Sequence, residues 1–228
     1  MATTKPLRRK SRMPHATSSL TELAYQEIRR QILDLQLSPG SVVSERALAE
    51  RLELGKAPIR SALVRLASDG LVSIAPRQGI LISTPSIQDV IELFEIRVAL
   101  ELLVVRHLAG TLSEQQIDLI RANLDEYRVF AETGDSVDSV PVDFEFHRLL
   151  CELHGNRQML RVLVQTFDSL YREIRLAQSK YPQRIWDSVK EHQAVADALI
   201  GGDASQAEGL MRSHLQFGQQ FILSRGKS

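Results

Sequence analysis

The run SERALAERLELGKAPIRSALVRLASDGLV, Ser44 to Val72, carries two helical patterns divided by a short polar break. Ser44 is placed to cap ERALAERL. After ELGKA comes Pro58, suited to the first position of a helix because the N–H it lacks has no partner there. Ile59, Ala62, Leu63, Leu66 and Ala67 recur at the spacing of a buried stripe, whereas Arg60, Ser61, Arg65 and Ser68 fall elsewhere on the cylinder. The second helix therefore has an apolar back and a basic front, and Gly70 supplies the left-handed residue that ends it.

Upstream, SLTE opens another helix, with Ser19 as cap and Glu22 as its capping-box partner. Leu20, Leu23, Ala24, Ile28, Ile32 and Leu35 follow at helical period until LSPG turns the chain. Downstream, LVSIA and GILIS flank PRQ as two short β-rich runs. Three helices and a hairpin make the winged variant of the helix-turn-helix, over residues 18–84. Leu54 to Lys56 lie near its turn and Arg77 near the wing tip. Residues 1–17, with Lys5, Arg8, Arg9, Lys10 and Arg12 but no apolar period, read as a disordered basic arm.

The chain has 228 residues, 43% of them hydrophobic, enough to fill real cores. No apolar run reaches the ~18 to 20 residues that span a bilayer, and the basic opening lacks the apolar centre of a secretion signal. Membrane insertion is therefore not expected, and a cytoplasmic location is. Cys151 stands alone, so neither an internal disulfide nor a cysteine metal cluster is available. Basic and acidic residues balance at 28 each, yet the stretch through Thr84 is net +6 and the remainder net −6. The first part is suited to a polyanion and the second to something else.

From residue 85 to 228 no further strand signal occurs, and helical patterns recur between breaks such as TGDSVDSVP, HGN, YPQR and GGDASQ. Ser86, Ser113 with Gln116, Asn156, and Asp203 with Gln206 mark helix starts. Six helices of some 15 to 20 residues predict an antiparallel all-α bundle, so the whole chain is mostly α. In the stretch DFEFH, Asp143 and His147 stand four residues apart on one helical face. His192 shares the inward face of its helix with Ile185, Val189, Ala196 and Leu199; His214 falls among Leu210, Met211, Gly218 and Phe221. One carboxylate and three imidazoles aimed at a bundle interior are costly to desolvate unless something pairs them, and a divalent metal does so. Each alone also reads as a hydrogen-bonded core residue, with Asp143 favoured near a helix start by the dipole. His154 shares the face of His147 but lies about 10 Å further along the axis, outside the set.

A recognition helix fits the major groove, where arginine donates two parallel hydrogen bonds to guanine O6 and N7. Arg60, in the first turn of its helix, is the leading base reader. Arg46, Lys56, Arg65 and Arg77 are further candidates for phosphate or base contacts, or else ordinary surface charge. Residues 18–84 resemble the DNA-binding domain of GntR-family bacterial regulators: Glu45-Arg46 opens the second helix, Pro58-x-Arg60-x-Ala62-Leu63 the third, Asp69-Gly70-Leu71 closes it, and RQG follows in the wing. The resemblance implies operator contacts at Arg46, Lys56, Arg60 and Gly79. Two departures stand out from the family's Ser/Thr-Arg-Thr-Pro turn, here Gly55-Lys56-Ala57-Pro58. Lys56 is a point charge rather than a planar fork, and Ala57 has no capping oxygen, a loss of roughly 1 kcal/mol where a Thr cap would form.

Residues 86–224, through LFEIRVALE, the Asp-x-x-x-His helix start, HGN, Glu191-His192 and RSHL, resemble the helical FCD ligand-binding domain of the FadR subfamily. That resemblance implies a metal site at Asp143, His147, His192 and His214 holding zinc, nickel or a similar ion, often together with a small carboxylate. Such a ligand set leaves coordination positions open on a six-coordinate ion for that carboxylate. Arg97 is a candidate partner for the effector, or else an ion pair with Glu101 one turn on. The expected function is a homodimeric, metabolite-responsive repressor on an approximately palindromic double-stranded operator. The rivals are a metal-dependent hydrolase or isomerase, weakened because Glu145 and Glu191 are read as pointing away from their neighbouring ligands, and a nonspecific DNA binder.

Overall fold

The computed structural model describes residues 15–75, 79–133, 139–180 and 183–224, and these divide after Ser83 into two compact units. The first contains α1 (His15–Leu33), β1 (Val42–Val43), α2 (Glu45–Leu52), α3 (Lys56–Ser68), β2 (Val72–Ala75) and β3 (Gly79–Ile82). Its three-stranded antiparallel sheet has the order β1-β3-β2, with Val42 opposite Leu81 and Ile74 opposite Ile80. Strand β1 is too short for the sequence pattern to announce. Arg77 lies outside the described residues.

Ala24, Ile28 and Ile32 of α1 pack with Leu48, Ile59, Ala62, Leu63 and Leu66 of α2 and α3 and with Ile80 and Ile82 of the sheet. Three expectations are corrected. Helix α1 begins upstream at His15, so His15 to Thr17 are helical rather than part of a disordered arm, and Ser19 lies inside the helix instead of capping it. Leu20 and Leu23 are exposed, at 42% and 57%, because Leu23 stands well round the cylinder from the face centred on Ile28 and Leu20 precedes the packed turns. Helix α3 begins at Lys56 after Gly55, which makes Pro58 the third helical residue rather than the first. Its missing N–H still falls among the unpaired donors of the opening turn, so no helical bond is lost. The stripe from Ile59 to Leu66 is buried as its spacing predicts, and Gly70 takes φ +75°.

The second unit is helical: α4 (Ile87–Leu108), α5 (Glu114–Thr133), α6 (Ser139–His154), α7 (Arg157–Lys180), α8 (Gln183–Ile200) and α9 (Ala204–Ser224). Ser86 and Asp89 form a reciprocal capping box on α4, Ser113 and Gln116 do the same before α5, and Asn156 and Asp203 accept the first N–H groups of α7 and α9. Helix α4 packs against α9, α6 and α7, while α8 lies against α9 and α5. Their shared core runs from Phe94, Leu102 and Val105 through Phe146 and Leu150 to Val195, Leu199 and Met211. One end of this apolar interior gives way to polar side chains.

Candidate functional site

DFEFH sits on α6 where that helix faces α4, α5 and α8. Phe144 stacks on Phe167 of α7, with ring centres 3.8 Å apart; Phe146 is fully buried and stacks on the His192 ring at 4.2 Å. The two phenylalanines thus fix the helix and form a shelf for one histidine, while Asp143 and His147 turn inward at 7% and 1% exposure. Glu145 pairs outward with Arg148 of its own helix, as its place in the sequence predicts.

His147, His192 and His214, from three helices, each offer a nitrogen within 4.8 Å of the others. His214 Nε2 lies 3.2 Å from His147 Nε2 and 3.2 Å from His192 Nε2. Donors bound to one ion at about 2.1 Å sit roughly 3.0–3.4 Å apart, so the spacing suits a shared cation. Asp143 Oδ1 is 3.7 Å from His192 Nε2 and accepts hydrogen bonds from the Tyr127 hydroxyl (2.9 Å) and the Ser188 hydroxyl (2.7 Å).

The outer nitrogens carry more information. His147 Nδ1 is 2.5 Å from Glu101 Oε2, and His214 Nδ1 is 2.6 Å from Glu191 Oε2. Bonding a carboxylate commits each of these outer nitrogens to carrying a proton, so the Nε2 atoms are the ones turned toward each other and toward His192. Burial pushes the His192 pKa well below its ordinary value and lowers that of His214, with Glu191 recovering only part of the loss, which favours the neutral rings that can ligate a metal. Burial pushes the Glu101 carboxyl up, but Arg97 and His147 outweigh it and hold it at about 2. In a neutral ring a proton on the outer nitrogen leaves Nε2 free to ligate, and three such nitrogens converge in a dry interior. The residues fit a divalent ion.

Glu101 and Glu191 are histidine partners that spacing along the chain does not reveal. Glu191 in particular, read from sequence as pointing away, reaches across from α8 to α9 and holds His214. Each glutamate is itself held by an arginine: Arg97 Nε donates to Glu101 Oε1 at 2.8 Å, and Arg184 grips Glu191 with two bonds of 2.9 and 2.7 Å. Arg97 thus makes the ion pair with Glu101, yet its Nη2 is buried without an acceptor. Arg97 and Arg184 line a cavity with Phe94, Asp143, Ser188 and His214. Its volume is ≈ 40 Å³, against the ~10–15 Å³ that holds one water.

In the first unit, Arg60 stands on the outer face of α3 with 72% of its side chain exposed, in line with exposed Ala57, Ser61 and Val64. Lys56 is exposed at the start of the same helix, and Arg46 is exposed on α2 beside Glu50. Gly79 opens β3 at φ +107°, where a Cβ would lie 2.9 Å from Val42 Cγ1 and 3.1 Å from the Val43 carbonyl oxygen. Arg65 is engaged elsewhere: it bonds Glu22 at 2.6 Å and lies 3.7 Å above the Tyr25 ring, whose hydroxyl donates to Asp69. That network fastens α3 to α1.

Among known families, the FCD domain matches residues 92–217, and bacterial regulatory proteins of the gntR family match residues 20–82. The HTH-type transcriptional repressor RspR of Escherichia coli K12 is 26% identical over 200 residues, covering 88% of this chain and 87% of that protein. The repressor NanR of Cronobacter sakazakii is 25% identical over 224 residues, covering 90% and 85%. Among solved structures, E. coli McbR/YncC superposes with a TM-score of 0.79 at 20% identity, over 90% of this chain and 98% of that one. A Rhodococcus sp. RHA1 regulator gives 0.80 at 20% identity, over 91% and 98%. Among the described residues no helix is long and apolar enough to cross a membrane.

Proposed function

The chain belongs to the GntR family of bacterial regulatory proteins, with an FCD domain after its winged helix, and from that premise we propose a metabolite-responsive repressor whose bundle binds a divalent metal and a small carboxylate. It is a DNA-binding transcription regulator; its relatives are named as transcriptional repressors, and the hydrolase or isomerase reading has no support. The name repressor, borne by the relatives, is extended here to this chain.

The observation that carries the proposal is the pair of facing Nε2 atoms at 3.2 Å whose outer nitrogens are both committed to carboxylates. His147, His192 and His214 hold the ion, with Asp143 completing the set. Glu101 and Glu191 orient two of the imidazoles and increase their basicity toward it. A bound divalent ion supplies a Lewis-acidic centre with open positions for a carboxylate; zinc and nickel both accept this donor set. The buried, unpaired Nη2 of Arg97 suits the far side of that carboxylate.

On the DNA side, Arg60 reads a base edge in the major groove, while Arg46, Lys56 and the backbone at Gly79 contact the operator nearby. A homodimer presents two such helices to an approximately palindromic duplex. The effector releases DNA only as far as it binds the DNA-incompetent arrangement more tightly.

Elemental analysis of tag-free protein tests the metal centre. About one equivalent per chain is expected in the parent and little in an Asp143→Ala, His147→Ala variant. Equal occupancy in both would remove the site.

A further inference from the structure

Arg60 and Glu45 come from different helices, 15 positions apart, yet they are joined by two bonds. Arg60 Nε donates to Glu45 Oε2 at 3.3 Å and Nη2 donates to Oε1 at 3.1 Å. The carboxylate therefore occupies one edge of the guanidinium, the edge made by Nε and one hydrogen of Nη2. A guanidinium has five N–H donors in a rigid plane, so the Nη1/Nη2 edge keeps two parallel donors. Guanine O6 and N7 ask for two parallel donors.

Glu45 is itself firmly placed. It is the first residue of α2, where Ser44 Oγ accepts the Ala47 N–H at 3.0 Å, and its side chain is 26% exposed against 72% for Arg60. An exposed ion pair stabilises a fold little. A carboxylate on a DNA-facing surface also repels phosphates, so its presence lowers affinity for any duplex. Arg46 differs, since its pairing with Glu50, at 3.3 Å, runs along its own helix and joins no second element.

We propose that Glu45 is a positioning residue for operator reading: it grips Arg60 by one edge, presents the other to a guanine, and keeps the side chain from swinging to a phosphate. The inference rests on Arg60 being a base reader. It assigns Glu45 to specificity rather than to affinity, so losing the carboxylate blurs recognition of one G·C pair while binding to arbitrary DNA holds or strengthens.

The test uses the full chain. Duplexes selected by the parent protein from a randomised library supply the probe, and each guanine is replaced in turn by 7-deazaguanine, which lacks the N7 acceptor. At fixed salt the parent should lose roughly 5- to 100-fold at one guanine, the span of a bidentate arginine contact. Arg60→Ala should lose that sensitivity. Glu45→Ala should lose most of it at the same guanine, while binding random duplex at least as tightly as the parent, and Glu45→Gln, which retains one acceptor, should fall between. Full sensitivity in Glu45→Ala alongside its loss in Arg60→Ala overturns the role of Glu45 alone. Equal weakening of Glu45→Ala on every duplex overturns it in favour of a structural role. A guanine sensitivity indifferent to Arg60→Ala overturns the reading of Arg60 and this inference with it.

Discussion

The two units handle charge in opposite ways. In the winged unit the ion pairs are exposed: Arg60 with Glu45, Arg46 with Glu50, and Arg65 with Glu22, the last at 49% and 50%. Water screens them, and each adds little to stability. In the bundle, Arg97 and Glu101 are each 4% exposed, and His147 and His192 show no exposed side chain. There the charges packed around the histidines have been desolvated and depend on their neighbours. Loss of a partner is therefore cheap on the surface of the winged unit and costly in the interior of the bundle.

That contrast is broken or sharpened most strongly by removing one carboxylate from each unit. Glu101→Ala strands Arg97 and the His147 N–H in a dry interior, and breaking a buried pair costs about 3–5 kcal/mol. Glu45→Ala removes an exposed pair worth about 1 kcal/mol or less. Urea unfolding of both variants, metal-free, measures the difference. Comparable losses would mean that the buried network is no more committed than the surface one.

Acid should act on the same side. His192 and His214 have pKa values lowered by burial, so as pH falls through about 6.5 the unfolded chain takes up protons before the folded one. Their contribution to stability is therefore present above that pH and lost progressively below it. Glu101, held at about 2, contributes stability that is complete above its unfolded value near 4.5 and fades only below it, outside this window. The melting temperature of EDTA-stripped protein should drop between pH 7.5 and 5.5, and divalent metal should protect until protons displace it. A flat metal-free profile over that range would contradict the lowered values.

How much of this was legible in the chain depends on the range of the chemistry. Helix starts at Ser86, Ser113, Asn156 and Asp203 were readable because a capping oxygen bonds N–H groups two or three residues away. The inward faces of α8 and α9 followed from periodicity, which placed His192 and His214 with their apolar neighbours. Glu101 and Glu191 were not readable as histidine partners, because they bond side chains 46 and 23 residues away and only the packing of α4 on α6 and of α8 on α9 brings them there. Strand β1 escaped because two residues show no alternation. Arg65 looked equivalent to Arg60 for the same reason: both are basic and off the buried stripe, and nothing local says that Glu22 and Tyr25 wait beside one of them.

The smallest effect separates those two arginines from the point charge beside them. Removing one cation from a phosphate lowers the salt slope of DNA binding by about one. Lys56→Ala, at the exposed start of α3, should show that decrease with little change in base preference. Arg65 is bound to Glu22 and stacked on Tyr25, so Arg65→Ala should leave the salt slope alone and instead lower the melting temperature of the winged unit by loosening α1 from α3. A reduced slope for Arg65→Ala would show that the side chain leaves Glu22 to meet DNA, unlike Arg60, which is proposed to keep its carboxylate while it reads a base.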